Sequence, residues 1–289
     1  MSEPLNPTSH SYFSQRLRLH YLDWGNESAS SLILIHGIRD HCRTWDAVAQ
    51  RLRDHYHVIA PDLRGHGDSA WQQGSAYGNL DFVYDIAQLV RQQELAPVTL
   101  IAHSLGGTLA CLFAGAFPEL VERLVVVEGI GLWERWTDVP PVHERIRGWV
   151  DEVRSLAGRA PRRYASVAEA YRRMQQTNPH LSPDLALHLT IHGSHQNEDG
   201  SYSWKFDNYT HAWPLFDVDA QDSIALWQRI DCPVLLLNSS DGYDHRIGQD
   251  GTDVHFDDCQ VIDIEGAGHW THHDKLDEFM AQVGPFLDL

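Results

Sequence analysis

Lysine is almost missing from this chain: Lys205 and Lys275 are the only two in 289 residues. Acidic residues outnumber basic ones 40 to 22, for a net charge of −18. A field of that sign repels phosphate backbones and anionic lipid surfaces. Nucleic acid and membranes are therefore not expected as partners, and a neutral small molecule is. Cysteine is also scarce. Cys42, Cys111, Cys232 and Cys259 are scattered and form no CxxC pair, which argues against a disulfide framework or a zinc knuckle and for free thiols in a reducing compartment. No run of about 18 apolar residues exists, so no membrane-spanning helix is expected. The opening MSEPLNPTSHSYF has no basic start followed by an apolar stretch, so no secretory signal is read there and a cytoplasmic location is expected.

What is present is an ordinary globular composition, 43% apolar and 21% charged, in a chain long enough for one large core with an inserted subdomain. Apolar runs alternate with amphipathic stretches through the first 130 residues. Strands are expected at Arg16–Leu22, Leu32–Ile35, His57–Ala60, Val98–Ala102 and Leu124–Val127, with helices at Thr44–Leu52, Asp81–Glu94 and Leu105–Ala116. Such alternation implies right-handed crossovers and an α/β fold, a mostly parallel sheet covered by helices on both faces. From Leu132 to Asp219 the buried strands stop. Helical spacing at Glu144–Leu156, Ser166–Gln176 and Ser182–Leu189 predicts a mainly helical cap over residues 132–219, inserted in a core of residues 1–131 and 220–289. Alternation resumes with Ile224–Arg229, Pro233–Leu237, Val261–Ile264 and a terminal helix from about Asp274.

The sharpest local signal is Val98-Thr-Leu-Ile-Ala-His-Ser104-Leu-Gly-Gly107. A buried strand runs into a serine, and a glycine-rich helix begins at once. A turn this tight pushes the serine oxygen clear of the backbone, and small flanking residues let helix and strand approach. Gly106 meets that need; Ala102 stands where a glycine is usual. The helix N-terminus behind Ser104 aims its amide dipoles at developing negative charge. Serine needs a base within hydrogen-bond reach, and Glu265-Gly-Ala-Gly-His269-Trp270, on a turn after a late strand, supplies His269. His272 and His273 lie nearby, but on different faces of an incipient helix and with no matched carboxylate cluster, so neither a metal nor a cofactor is expected.

These motifs, with His36-Gly37 and Pro61-Asp-Leu-Arg-Gly-His-Gly-Asp-Ser69, resemble the α/β-hydrolase superfamily in order and spacing over nearly the whole chain apart from the cap. Similar sequences are esterases, lipases, lactonases, haloalkane dehalogenases, epoxide hydrolases and perhydrolases. The resemblance implies an oxyanion hole from the backbone amides of Ile38 and Leu105. It also implies that the Arg64–Ser69 loop is a brace, which keeps Asp62, His66 and Asp68 out of the chemistry. Most of the superfamily draws its triad acid from the strand matching Val234–Leu237, where Asp241 is nearest, with Asp244 behind it. A minority uses a glutamate on the strand after the elbow helix. Leu124-Val-Val-Val-Glu128-Gly129 matches that pattern, 24 positions past Ser104. A glutamate ending an all-apolar strand is costly without a partner, so Glu128 is preferred and Asp241 is the alternative.

A serine at the elbow sets the chain apart from the dehalogenases and epoxide hydrolases, whose alkyl-enzyme chemistry needs aspartate there. It implies an acyl-enzyme and a small-molecule carboxylic ester as substrate, small to medium and hydrophobic under the cap. The same triad could instead open lactones, make peracids or cleave carbon–carbon bonds beside a ketone, and a hydrolase-fold ligand sensor is the alternative from another class. Gly37, His103, Trp133 and Trp270 are expected to contact substrate. Arg39, Asp40 and His41, which follow the oxyanion turn, are candidates to line the site. The other aromatics of the cap, including Tyr164, Trp204 and Phe206, are read mainly as its own small core, and Cys42 as a bystander.

Overall fold

A computed structural model describes residues 6–74, 77–131, 139–242 and 247–289. Trp133 and Asp244, both named above, lie outside the described residues. Among these, ten strands and nine α-helices follow in chain order as β1 (Thr8–Ser14), β2 (Leu17–Asp23), β3 (Ser31–Ile35), α1 (Asp46–Leu52), β4 (His57–Pro61), α2 (Asn79–Gln92), β5 (Val98–His103), α3 (Leu105–Ala116), β6 (Val121–Val127), α4 (Val142–Ala157), α5 (Val167–Thr177), α6 (Pro183–Gly193), β7 (Ser194–Gln196), β8 (Tyr202–Trp204), α7 (Ala220–Trp227), β9 (Val234–Ser239), β10 (Cys259–Ile264), α8 (Thr271–Asp274) and α9 (Leu276–Phe286).

Eight strands form one sheet in the order β1-β2-β4-β3-β5-β6-β9-β10. β2 pairs antiparallel with both β1 and β4, and β4, β3, β5, β6, β9 and β10 run parallel to one another. The expected α/β architecture is the observed one. Central strands read as unbroken apolar runs because both of their faces are covered: all six residues of β5 and of β9 are buried. One face packs under α2 and α3 through Phe82, Ile86, Leu109 and Phe113. The other packs under α1 and α9 through Trp45, Leu52, Phe279 and Val283.

Element boundaries moved by one to four residues from expectation, while β1 and the hairpin of β7 and β8 went unforeseen. β1 is an edge strand whose residues are exposed except Tyr12 and Ser14, so its apolar signal is too thin to read. β7 and β8 have three residues each, too few to show a period. Between β6 and α7 the described chain holds α4, α5 and α6, where helical spacing indicated helices, and the unforeseen hairpin. No helix among the described residues is long and apolar enough to cross a membrane.

Candidate active site

The sequence of β5 and α3 fixes the geometry of Ser104. Its backbone is left-handed, with φ 53° and ψ −122°, a region that costs a side-chain-bearing residue of order 1–3 kcal/mol. Two backbone hydrogen bonds hold it there, from Ser104 N to Val127 O and from Gly107 N to Ser104 O, both 2.9 Å. Gly106 makes the turn possible: a Cβ there would lie 2.6 Å from Ile35 O and 2.7 Å from His36 O. The expected elbow is thus a real constraint, with the start of α3 pressed against the end of β3. The amide of Leu105 opens α3 and so has no helical acceptor.

The end of β3 brings the second wall. His36 is wholly buried. It donates from Nδ1 to Gly37 O at 2.7 Å and accepts from Leu63 N at 3.0 Å, which ties the turn to the Pro61–Ser69 loop. Gly37 passes so close to the elbow that a Cβ would sit 3.0 Å from both Ser104 Cβ and His103 Nδ1. Ile38 follows at the cavity wall beside Ser104.

His269 arrives from the other end of the chain, on the turn after β10. Gly268 N donates to Asp274 Oδ2 at 2.8 Å, and Asp241 N donates to Ala267 O at 2.9 Å. His103, expected to touch substrate, borders the cavity but also anchors this turn: its Nε2 donates to His269 O at 2.8 Å, and its ring lies 4.5 Å from the His269 ring. Burial holds the His103 pKa well below the usual histidine value, and the adjacent His269 adds to the effect. His103 is therefore neutral near pH 7.

Glu128 and Asp241 have different surroundings. Glu128 ends β6 with a left-handed φ of 51°, and its side chain is 3% exposed. Oε1 accepts from Ser239 N at 2.6 Å, and Oε2 lies 3.4 Å from His269 Nδ1. Gly242 leaves it room, since a Cβ there would fall 2.3 Å from Oε2. Asp241 is exposed and accepts from the neighbouring Ser240 hydroxyl at 3.1 Å. Ser239 and Gly242 were not foreseen. Their roles depend on the pairing of β6 with β9, which no local pattern encodes.

Ser104, His269, Gly37, Ile38, His103 and Trp270 all line one cavity of about 540 Å³. Trp270 directs Nε1 to Asp40 Oδ2 at 3.4 Å. The opposite wall comes from the segment between β6 and α7 and includes Tyr164, Met174, Leu181, Leu189 and Trp204. Tyr164 and Trp204, read as local core, face this cavity as well.

The Arg64–Ser69 loop behaves as the expected brace. Asp62 accepts from His20 Nδ1 and Cys42 N at 2.7 Å and from Asp68 N at 2.9 Å. Despite burial, those donors hold its carboxyl well below the ordinary range. His20, Cys42 and Asp62 bring potential ligand atoms within 4.8 Å of one another. Burial, with Asp62 alongside, pushes the Cys42 thiol far up, so it stays protonated, and the three act as a hydrogen-bonded hub beside the His36-Gly37 turn. His272 and His273, also considered for a metal, have ring centroids 4.2 Å apart; His272 stacks on Trp45 at 4.1 Å, and His273 Nε2 meets the Thr44 hydroxyl at 2.8 Å.

Comparison with known proteins agrees with this geometry. Residues 32–282 match the model of the alpha/beta hydrolase family. This chain belongs to that family. A serine hydrolase-like protein of Danio rerio is 24% identical over 278 residues, covering 91% of this chain and 83% of the relative. Among solved structures, a thioesterase domain from the curacin biosynthetic pathway superposes with a TM-score of 0.83 at 21% identity, covering 96% of this chain and 98% of that one. An esterase of Mycobacterium tuberculosis superposes with a TM-score of 0.78 at 22% identity, covering 98% and 93%. At such identities the solved structures establish the hydrolase fold alone.

Proposed function

We propose that this hydrolase cleaves carboxylic esters through an acyl-enzyme on Ser104, with His269 as general base and Glu128 as the acid that orients it. Ser104 Oγ attacks the carbonyl carbon while its proton passes to His269 Nε2. The tetrahedral intermediate then collapses, and the departing alcohol takes that proton. Water repeats the sequence on the acyl-enzyme, releasing the carboxylic acid and restoring the serine. The amides of Ile38 and Leu105 receive the oxyanion, where two aimed donors contribute a few kcal/mol each to the transition state. Residues 132–219 serve as the cap that covers the reacting carbonyl.

The observation that carries this reading is the buried Glu128 carboxylate beside His269 Nδ1. A carboxylate in that position fixes the tautomer that leaves Nε2 free to take a proton, and it stabilises the imidazolium that results. Ser239 N, bonded to the other oxygen, keeps the Glu128 carboxylate directed. Asp241, turned to solvent, lacks that support.

Labelling with a fluorophosphonate probe tests the assignment in wild type, Ser104→Ala, His269→Ala, Glu128→Gln and Asp241→Asn. Labelling is expected to vanish without Ser104, fall steeply without His269 or the Glu128 charge, and persist in Asp241→Asn. Persistent labelling of Ser104→Ala would overturn the nucleophile. Full activity in Glu128→Gln with loss in Asp241→Asn would move the acid to β9.

A further inference from the structure

The charge around the cavity runs against the charge of the chain. In a protein of net charge −18, the cavity is lined by Arg39, Arg162, Arg173 and Lys205 and by one carboxylate, Asp40. Lys205 is neutralised by Asp68 at 2.8 Å. Asp40 is held by His41 N at 2.9 Å and by Trp270 Nε1. None of the three arginines has a carboxylate within 4.0 Å among the described residues, although Arg163, next to Arg162, pairs with Asp199. Three arginines with no carboxylate partner among the described residues therefore line one cavity.

Their settings suit an incoming anion. Arg39 follows the oxyanion turn with a left-handed φ of 59°. Its guanidinium lies 5.3 Å over the Phe206 ring, and that of Arg162 lies 5.2 Å over Tyr164. A guanidinium supported on an aromatic face keeps its in-plane N–H donors available, the fork that carboxylate and phosphate oxygens match. Desolvation pushes the Arg39 pKa down from its ordinary value. The rest of the wall, with Ile38, Met174, Leu181, Leu189 and Trp204, is apolar and suits an acyl body.

We infer that the substrate is an ester with an apolar body and a negatively charged end, a carboxylate or a phosphate, gripped by Arg39, Arg162 and Arg173. This rests on the reading of Ser104 as nucleophile and revises the sequence-based expectation of a wholly neutral substrate. The chain's overall field repels anions, whereas the local cluster attracts them. Discrimination thus comes from the cavity and not from long-range steering.

Two measurements test it, one of which needs no catalysis. The first compares kcat/KM for the p-nitrophenyl monoester of glutaric acid, for an analogue ending in phosphate, and for the uncharged p-nitrophenyl pentanoate. Wild type is expected to favour at least one anionic ester over the neutral one by about tenfold or more, an order typical of a charge-assisted grip. The triple variant Arg39→Gln, Arg162→Gln, Arg173→Gln should lose most of that ratio through KM. Arg154→Gln, on the exposed face of α4 and away from the cavity, should keep it. The second titrates glutarate and inorganic phosphate into Ser104→Ala, with and without the three arginine changes. Binding that disappears with the arginines supports the inference, and the anion that binds identifies the end group. A wild-type preference for the neutral ester, a ratio unchanged in the triple variant, or anion binding indifferent to the arginines would overturn it. If Ser104→Ala still hydrolyses esters, the nucleophile is wrong, and the titration on that same protein still decides the arginines.

Discussion

The sheet body and the segment between β6 and α7 are built by different means. In the body, buried residues from β2 to β10 and the helices on either side form two continuous apolar layers. In the segment, the one compact cluster is Leu181, Ala186 and Leu189 with a few half-buried neighbours. α4 leaves Val142, Ile146 and Val150 more than a third exposed, and Leu156 is its one buried side chain. Of the candidate catalytic groups, Ser104 and Glu128 stand on the tightly packed middle of the body and His269 on the turn after its edge strand. Tyr164, Arg162, Arg173 and Trp204, which shape the opposite wall, stand on the loosely packed one. On the proposed reading, reaction geometry and substrate choice fall to regions of different packing, the pattern expected when chemistry needs fixed distances and recognition needs adaptable ones.

This contrast can be broken most forcefully at the base. His269→Ala should lower kcat by about 10⁴-fold or more with little change in melting temperature, read by ester turnover beside thermal denaturation; a large stability loss would mean that the residue acts structurally. Next comes the buried ion pair beneath the sheet end. Arg64 binds Asp85 through two hydrogen bonds of 2.6 and 2.7 Å, both side chains being almost wholly buried. Asp85→Ala should cost about 3–5 kcal/mol in urea unfolding, because it leaves the buried guanidinium with the more exposed Asp81, at 3.2 Å, as its remaining carboxylate among the described residues.

A finer probe is Gly242→Ala, whose Cβ would collide with Glu128 Oε2. Displacing that carboxylate should lower kcat by about 10- to 100-fold while leaving the fold intact; unaltered kinetics would show that the Glu128 position is not critical. Acid provides a further test. Burial pushes the His66 pKa down to about 3 and lowers those of His36, His103, His272 and His273. Unfolded, each histidine takes up a proton near pH 6.5. The folded protein resists doing so, so stability is complete above that pH and declines as pH falls, for His66 down to about 3. Each buried histidine can contribute up to about 1.4 kcal/mol per pH unit, and urea midpoints at pH 8, 6 and 5 would measure the combined slope. At the small end, Val150→Ala on α4 should change stability by less than about 0.5 kcal/mol. A larger loss would mean that α4 is packed more tightly than its exposure indicates.

The same division governed what could be read from sequence. β5, α3 and the elbow were legible because a doubly covered strand is apolar throughout and a tight turn demands small residues, both visible in Val98–Gly107. Glu128 was legible as a lone charge closing an apolar run, and His269 as a histidine on a glycine turn. Ser239 and Gly242 were not, since their closeness to Glu128 comes from strand pairing. Arg162 and Arg173 escaped for other reasons: Arg162 lies in an irregular stretch with no period to read, and for Arg173 helical spacing says which residues share a face but not which cavity that face meets.

One last point concerns the position of β10. It is the outermost strand on its side of the sheet, with most of its residues open to solvent, and it carries the turn that delivers His269. Ser104 and Glu128, by contrast, sit at the ends of β5 and β6, adjacent strands in the middle of the sheet. Warming should fray the border before it melts the middle. Heat inactivation would then set in several degrees below global unfolding and reverse on cooling, with Ser104 and Glu128 still in register.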